Sequence, residues 1–134
     1  MPTRFSSFNF KKDGPQHLKN NITIALLCKN LLKSDTYTQT LAKAIAQSAM
    51  TGTDVNITAD GQDALTSING KSGLDPSGTA LVGDDICVAY CDDTGTPEVI
   101  LVLDATDRAL TNETGDSVDI PAGQHFSRET TSVS

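Results

Sequence analysis

Apolar and polar residues alternate in short runs along most of the chain, and turn-forming residues separate the runs. Asn21-Ile22-Thr23-Ile24-Ala25-Leu26-Leu27-Cys28 begins with alternation and becomes continuously apolar, which predicts a first central strand covered on both faces. A helix running on through Leu31-Leu32 is the alternative for this run. Thr36-Tyr37-Thr38-Gln39 has the spacing of a capping box, and Tyr37, Leu41, Ala44, Ile45 and Ser48 then recur at helical intervals before Gly52. This predicts one scaffold helix, near 36–49, whose narrow, alanine-rich stripe suits packing across a sheet edge.

Beyond the helix the pattern becomes one of strands and turns. Asp54-Val55-Asn56-Ile57-Thr58 alternates, Asp60-Gly61 turns, and Ala64-Leu65-Thr66-Ser67-Ile68 leads into Asn69-Gly70, a hairpin signal. Residues 71–78 read as a protruding loop. The strongest hairpin runs from Asp85 to Cys91, turns over Asp92-Asp93-Thr94-Gly95-Thr96-Pro97, and returns over Glu98–Asp104. Val99 to Leu103 is apolar at every position, as in a strand covered on both faces. Residues 111–115 are polar and loop-like, Ser117-Val118-Asp119-Ile120 alternates, and Pro121-Ala122-Gly123 breaks the run. The tail after Phe126, rich in Ser and Thr, is expected to fray or to dock elsewhere.

The expected fold class is therefore mainly β: a small β-sandwich or barrel-like antiparallel sheet with one helix near 36–49 and an extended N-terminal arm. The organisation read from the pattern is an arm over 1–20, one β-rich domain over 21–126 and a polar tail over 127–134. A chain of 134 residues fits one modest domain, and 31 Leu, Ile, Val and Phe residues allow a thin core. No run approaches the length of a membrane span and no apolar signal-peptide run opens the chain, so a soluble protein made without Sec-type export and without a membrane partner is expected.

Charge is unevenly divided. Residues 1–33 carry six basic side chains against Asp13, whereas residues 34–134 hold four basic and sixteen acidic ones, within a formal total of −7. An acidic body repels nucleic acid, which is not expected as a partner. Phe5, Phe8 and Phe10 share the leading segment with Arg4, Lys11 and Lys12. These Phe side chains either dock on the chain's own domain or reach a neighbouring subunit, with Phe anchors and a basic rim meeting an acidic surface.

The chemistry-bearing residues are sparse. Cys28, Cys87 and Cys91 are an odd set, and Cys87 and Cys91 stand about 13 Å apart if both lie on one strand, too far for one ion or one disulfide. They read as buried structural thiols. His17 and His125 are the only near-neutral bases and belong to no recognisable catalytic motif. No phosphate-binding glycine loop, nucleophile elbow or zinc-helix motif occurs. Asp84-Asp85, Asp92-Asp93 and the Asp104/Asp107 pair lack calcium-loop order and read chiefly as turn residues. No catalytic residue, metal ligand, cofactor or small-molecule substrate is expected.

One resemblance runs through about residues 22–122. Ile24-Ala25-Leu26-Leu27, the Thr-rich segment around Tyr37, Gly83-Asp84-Asp85-Ile86 leading through Val88-Ala89-Tyr90-Cys91-Asp92-Asp93-Thr94-Gly95 to Ile100-Leu101-Val102-Leu103-Asp104, and the closing Gly115-Asp116-Ser117-Val118-Asp119-Ile120-Pro121-Ala122 are similar to small virion proteins of tailed bacteriophages. The longer alanine-rich helix and the Phe/Lys arm depart from that pattern. The resemblance implies a non-enzymatic structural subunit of a phage particle, made in the host cytoplasm, with no catalytic residues to carry over. The leading expectation is a capsid decoration or cement protein on the capsid exterior. It would bind the major capsid protein through Phe5, Phe8, Phe10, Arg4, Lys11 and Lys12, and could form a homo-oligomer. A tail or head-to-tail junction component, a carbohydrate- or receptor-binding module and a small enzyme are the alternatives.

Overall fold

A computed structural model describes residues 3–7, 14–60, 63–78, 83–105 and 117–128. Among these, the chain is mainly β, with antiparallel sheets and two short helices. The elements are β1 (Thr3–Ser6), α1 (Pro15–Asn21), β2 (Ile24–Lys29), α2 (Tyr37–Ala42), β3 (Ala44–Ala49), β4 (Val55–Asp60), β5 (Asp63–Ile68), β6 (Lys71–Leu74), β7 (Ile86–Asp92), β8 (Glu98–Asp104), β9 (Val118–Ile120) and β10 (Gly123–Arg128). A 3₁₀ turn, Gly52–Asp54, precedes β4.

Three sheets result, with orders β1-β8-β7-β2-β3, β10-β5-β4 and β6-β9. The expected central hairpin is present: Val88 lies opposite Leu103 and Tyr90 opposite Leu101 in the β7/β8 register. Residues 86–91 and 100–103 are all buried, because both faces of the five-stranded sheet are covered. One face packs Leu27, Val88, Tyr90, Leu101 and Leu103 against Leu18 and Ile22 of and beside α1, Val55 of β4, Ile68 of β5, and Val118 and Ile120 of β9. The other packs Leu26, Cys28, Cys87, Ala89, Cys91 and Val102 with Leu31, Ala44 and the half-buried Tyr37.

The helix expected over 36–49 is cut short. Its capping box forms as expected, with Thr36 Oγ1 accepting from Gln39 N–H at 3.2 Å and Gln39 Oε1 from Thr36 N–H at 2.9 Å. It ends at Ala42, and Ala44–Ala49 becomes a strand paired with β2. The β2 edge carries main-chain donors and acceptors inside the protein, and pairing satisfies them where a helix would not. Leu41 of the expected apolar stripe is left exposed.

The leading segment is extended over Thr3–Ser6, and it is paired rather than free, as the edge strand beside β8. Ser7 N–H continues the pairing to Ile100 C=O at 2.8 Å. Gly14, at φ 73°, and Pro15 then open α1 in the manner of a glycine turn into an N-terminal proline. The Asn69-Gly70 turn does not make a β5/β6 hairpin, since β6 pairs with β9. At the other end, β10 extends the fold past Phe126 to Arg128, fully in register with β5. No helix among the described residues is long and apolar enough to cross a membrane.

Candidate interaction surface

The residues singled out from the leading segment separate into two groups. The backbones of Arg4 and Phe5 lie in β1, whereas Phe8, Phe10, Lys11 and Lys12 fall outside the described residues. The segment that holds the latter four joins a strand and a helix that both belong to the body. Leu18 of α1 is fully buried and packs among the core residues.

The acid–base candidates are engaged in structural contacts. His17 Nε2 lies 2.7 Å from Glu98 Oε1, and Asn21 Nδ2 lies 3.2 Å from His17 Nδ1 and donates to the His17 carbonyl at 2.9 Å. With that amide orientation Nδ1 accepts and Nε2 carries the proton donated to Glu98. The pair fastens α1 to the start of β8. His125 on β10 is held below the ordinary imidazole value by burial.

The acidic turns behave as capping elements. Asp93 accepts from Thr23 Oγ1 while its own N–H donates back to that oxygen at 2.8 Å, and Asp92 accepts from Thr94 N–H at 2.9 Å. Asn30, at φ 54°, donates to Asp84 at 3.0 Å and accepts from Asp85 N–H at 3.0 Å. Asp54, not singled out by its sequence context, is held by three hydrogen bonds. It accepts from Thr51 N–H at 2.9 Å, Lys71 Nζ at 3.0 Å and Asn69 Nδ2 at 3.3 Å. Burial alone would raise its pKa, but these hydrogen bonds and the Lys71 charge outweigh burial and lower it.

The three cysteines are buried and unbridged, with Cys28 directly opposite Cys87 across β2 and β7. Burial pushes the Cys28 and Cys91 thiols well above the ordinary value, which leaves them poor nucleophiles. No group of three or more His, Cys, Asp or Glu among the described residues is arranged to hold a metal ion.

What the described surface does offer is the outer face of the β10-β5-β4 sheet. Register places Val55, Ile68 and Gly123 in one row and Ile57, Thr66 and His125 in another, both turned to the interior. The intervening rows, Asn56/Ser67/Gln124 and Thr58/Leu65/Phe126, are turned outward. Those six residues are uncharged, and the next row in the same register is Asp60, Asp63 and Arg128. Phe126 is 63% exposed and lies directly opposite Leu65, itself 37% exposed. The sequence pattern alone ends the domain at Phe126 and assigns this residue no role. The strand alternation Gly123, His125 against Gln124, Phe126 was the available signal.

Comparison with known proteins adds no relative: no family model matches the chain, and neither does any curated protein or solved structure.

Proposed function

We propose that this chain is a non-enzymatic structural protein of a phage virion, of the capsid decoration or cement type, binding and stabilising the lattice of a major capsid protein. The observation that carries this reading is the union of an acidic, turn-capped β-body that exposes Phe126 opposite Leu65 with a basic, aromatic Phe8–Lys12 segment. Large exposed aromatics surrounded by polar residues support binding to another protein. The engagement of His17, Asp54 and the thiols in internal contacts favours binding over catalysis. A protein that binds only the assembled shell stabilises it by linkage.

The test is the copy number relative to the major capsid protein in gradient-purified particles, measured by quantitative mass spectrometry. A ratio on the scale of the lattice is expected. A ratio tens of times lower assigns the protein to the tail or head-to-tail junction, and absence from particles overturns the reading. The Phe8/Lys12 contribution is tested by Phe8→Ser with Phe10→Ser, and separately by Lys11→Glu with Lys12→Glu. Deleting residues 1–12 would also remove β1 from the sheet, so substitutions are the cleaner perturbation. Unchanged attachment of both double variants would refute a role for this segment.

A further inference from the structure

Cys28 of β2 and Cys87 of β7 lie directly opposite each other inside the five-stranded sheet, and the main-chain bonding fixes how close they stand. Asn30 N–H bonds to Asp85 C=O at 2.8 Å, in register with the β2/β7 pairing, so Asn30 and Asp85 are a hydrogen-bonded pair. Alternation makes Cys28 and Cys87 the next such pair. Lys29, between Cys28 and Asn30, directs its N–H to the other side, to Lys43 C=O at 3.2 Å, as that phase requires. The Cα atoms of a hydrogen-bonded pair stand about 5.5 Å apart. That spacing falls within the roughly 4.4–6.8 Å that disulfides span and near their commonest value. Residues directly opposite also share a face, and both thiols are fully buried in one core cluster.

Cys91 belongs to the same cluster but is out of reach of both. It lies opposite Ile24, four residues along the ladder from the pair and about 13 Å away, too far to be bridged without backbone movement. The register therefore selects one pairing among the three cysteines. Cys28 also lies beneath a short covering element: its Sγ donates to Thr40 C=O of α2 at 3.5 Å, and α2 has six residues and leaves Leu41 exposed. A helix that short is held by its packing, so its release uncovers Cys28 before the sheet itself opens. Until then burial keeps the thiol protonated and unreactive.

We infer that Cys28 and Cys87 are an oxidation site: a small disulfide of the glutathione class converts them to a cross-strand disulfide that staples β2 to β7, and small thiols reverse it. With α2 displaced, Cys28 gives up its proton and its thiolate attacks one sulfur of the oxidant, breaking the oxidant's S–S bond and releasing one thiolate. Cys87, deprotonated in turn, attacks the Cys28 sulfur of the mixed disulfide and releases the second thiolate. The two protons pass to the two leaving thiolates, so the chain loses two hydrogens and the oxidant becomes two thiols. The new bond closes a loop of about 60 residues that contains α2, β3, β4, β5 and β6, and it restricts the unfolded chain far more than the folded one. A chain that moves from a reducing to an oxidising environment thereby gains a covalent link within its main sheet. This inference needs only the register and does not rest on the proposed function.

The experiment equilibrates the full chain in mixtures of reduced and oxidised glutathione by two routes, from the reduced native protein and from urea-unfolded protein diluted into the same buffers. The second route keeps slow access to the core from hiding the equilibrium. Alkylation in denaturant counts the remaining thiols, and non-reducing mass spectrometry after trypsin and chymotrypsin locates the bond, since cleavage after Tyr90 separates Cys87 from Cys91. In excess oxidised glutathione the wild type is expected to go from three alkylatable thiols to one and to link Cys28 to Cys87 within one chain. Its Tm is expected to rise by roughly 5–15 °C over that of the reduced protein. Cys91→Ala is expected to form the same bond, whereas Cys28→Ala and Cys87→Ala are each expected to show the same Tm in reducing and oxidising buffer. The peptide map of the wild type and the Cys91→Ala result decide the matter even if the other two variants fold poorly. A wild type that keeps three thiols by both routes, or that carries only glutathione adducts, overturns the inference. So does a bond through Cys91, a bond between chains, or a Cys28–Cys87 bond that lowers Tm.

Discussion

Tyr90 sits at the centre of the five-stranded sheet with no exposed surface, and its hydroxyl has no hydrogen-bond partner among the described residues. Burial pushes its pKa up, as expected where nothing solvates the phenolate. An unpaired buried hydroxyl costs about 1–3 kcal/mol, whereas the ring is packed in the core shared with Leu103 and Ile68. Tyr90→Phe keeps the ring and removes the unpaired group, so it is expected to stabilise the fold by about 1–2 kcal/mol. For a chain of this size that corresponds to a rise in Tm of roughly 3–6 °C. The assay is urea unfolding followed by far-UV circular dichroism, because the chain has no Trp and the substitution removes one of its two Tyr residues. The midpoint is expected to rise with the slope unchanged. A loss of about 1 kcal/mol or more would refute the reasoning, since it would mean that the hydroxyl has a partner whose removal is costly. Thr66→Val provides a parallel case, because Thr66 Oγ1 is likewise buried and without a partner among the described residues, and the same sign is expected there.

Three further outcomes follow from the same packing. A Cβ at Gly123 would stand 2.6 Å from the Tyr90 hydroxyl and 2.8 Å from Leu103 Cδ1, so Gly123→Ala is expected to cost about 1–3 kcal/mol, and less in the Tyr90→Phe background; equal costs in a double-mutant cycle would refute the contact. Asp54→Asn removes the charge that Lys71 and the Thr51 N–H meet and is expected to cost about 2–3 kcal/mol, and because the Asp54 pKa is lowered on folding its contribution is present above the unfolded carboxylate value and disappears as pH falls through the folded one; the variant is expected to show a flatter acid limb in urea titrations, and a wild-type-like limb would refute this. His125 is held below its ordinary value, so the folded state disfavours its proton; stability is expected to fall as pH drops below the unfolded imidazole value near 6.5, and His125→Gln is expected to flatten that slope in urea titrations between pH 7 and about 5.

The elements legible in the sequence are those whose signals are local. The β7/β8 hairpin could be read because a continuous apolar run on each side of Asp92–Pro97 has few other homes, and the β4/β5 hairpin because alternation stops on either side of Asp60-Gly61. The start of α2 was written in Thr36 and Gln39, but its end was not. Ala44–Ala49 consists of small residues with no strong preference, and its conversion to a strand follows from the need of β2 for a neighbour. Asn69-Gly70 marked a change of direction without naming the next partner, which is β9, some 50 residues later. The same limit explains why Phe126 was read as the end of the domain. Its exposure beside Leu65 depends on a pairing across about 60 residues, and no window around residue 126 contains it. Asp54 was unremarkable for that reason too, since two of its donors, Asn69 and Lys71, come from beyond the β4/β5 hairpin.

The order of the five-stranded sheet also bears on how the chain acquires its structure. β1 and β2 follow one another in sequence, yet the β7/β8 hairpin lies between them. The first half of the chain can therefore assemble β2 with β3 and β4 with β5, but it cannot close the main sheet until residue 104 is present. On a ribosome, the edges of β1 and β2 that will receive the hairpin wait unpaired through most of synthesis, and the slow step is a long-range insertion rather than a local zipping. Such a chain gains its stability late and all at once, so a product ending before β7 would be an aggregation-prone fragment rather than a smaller working domain.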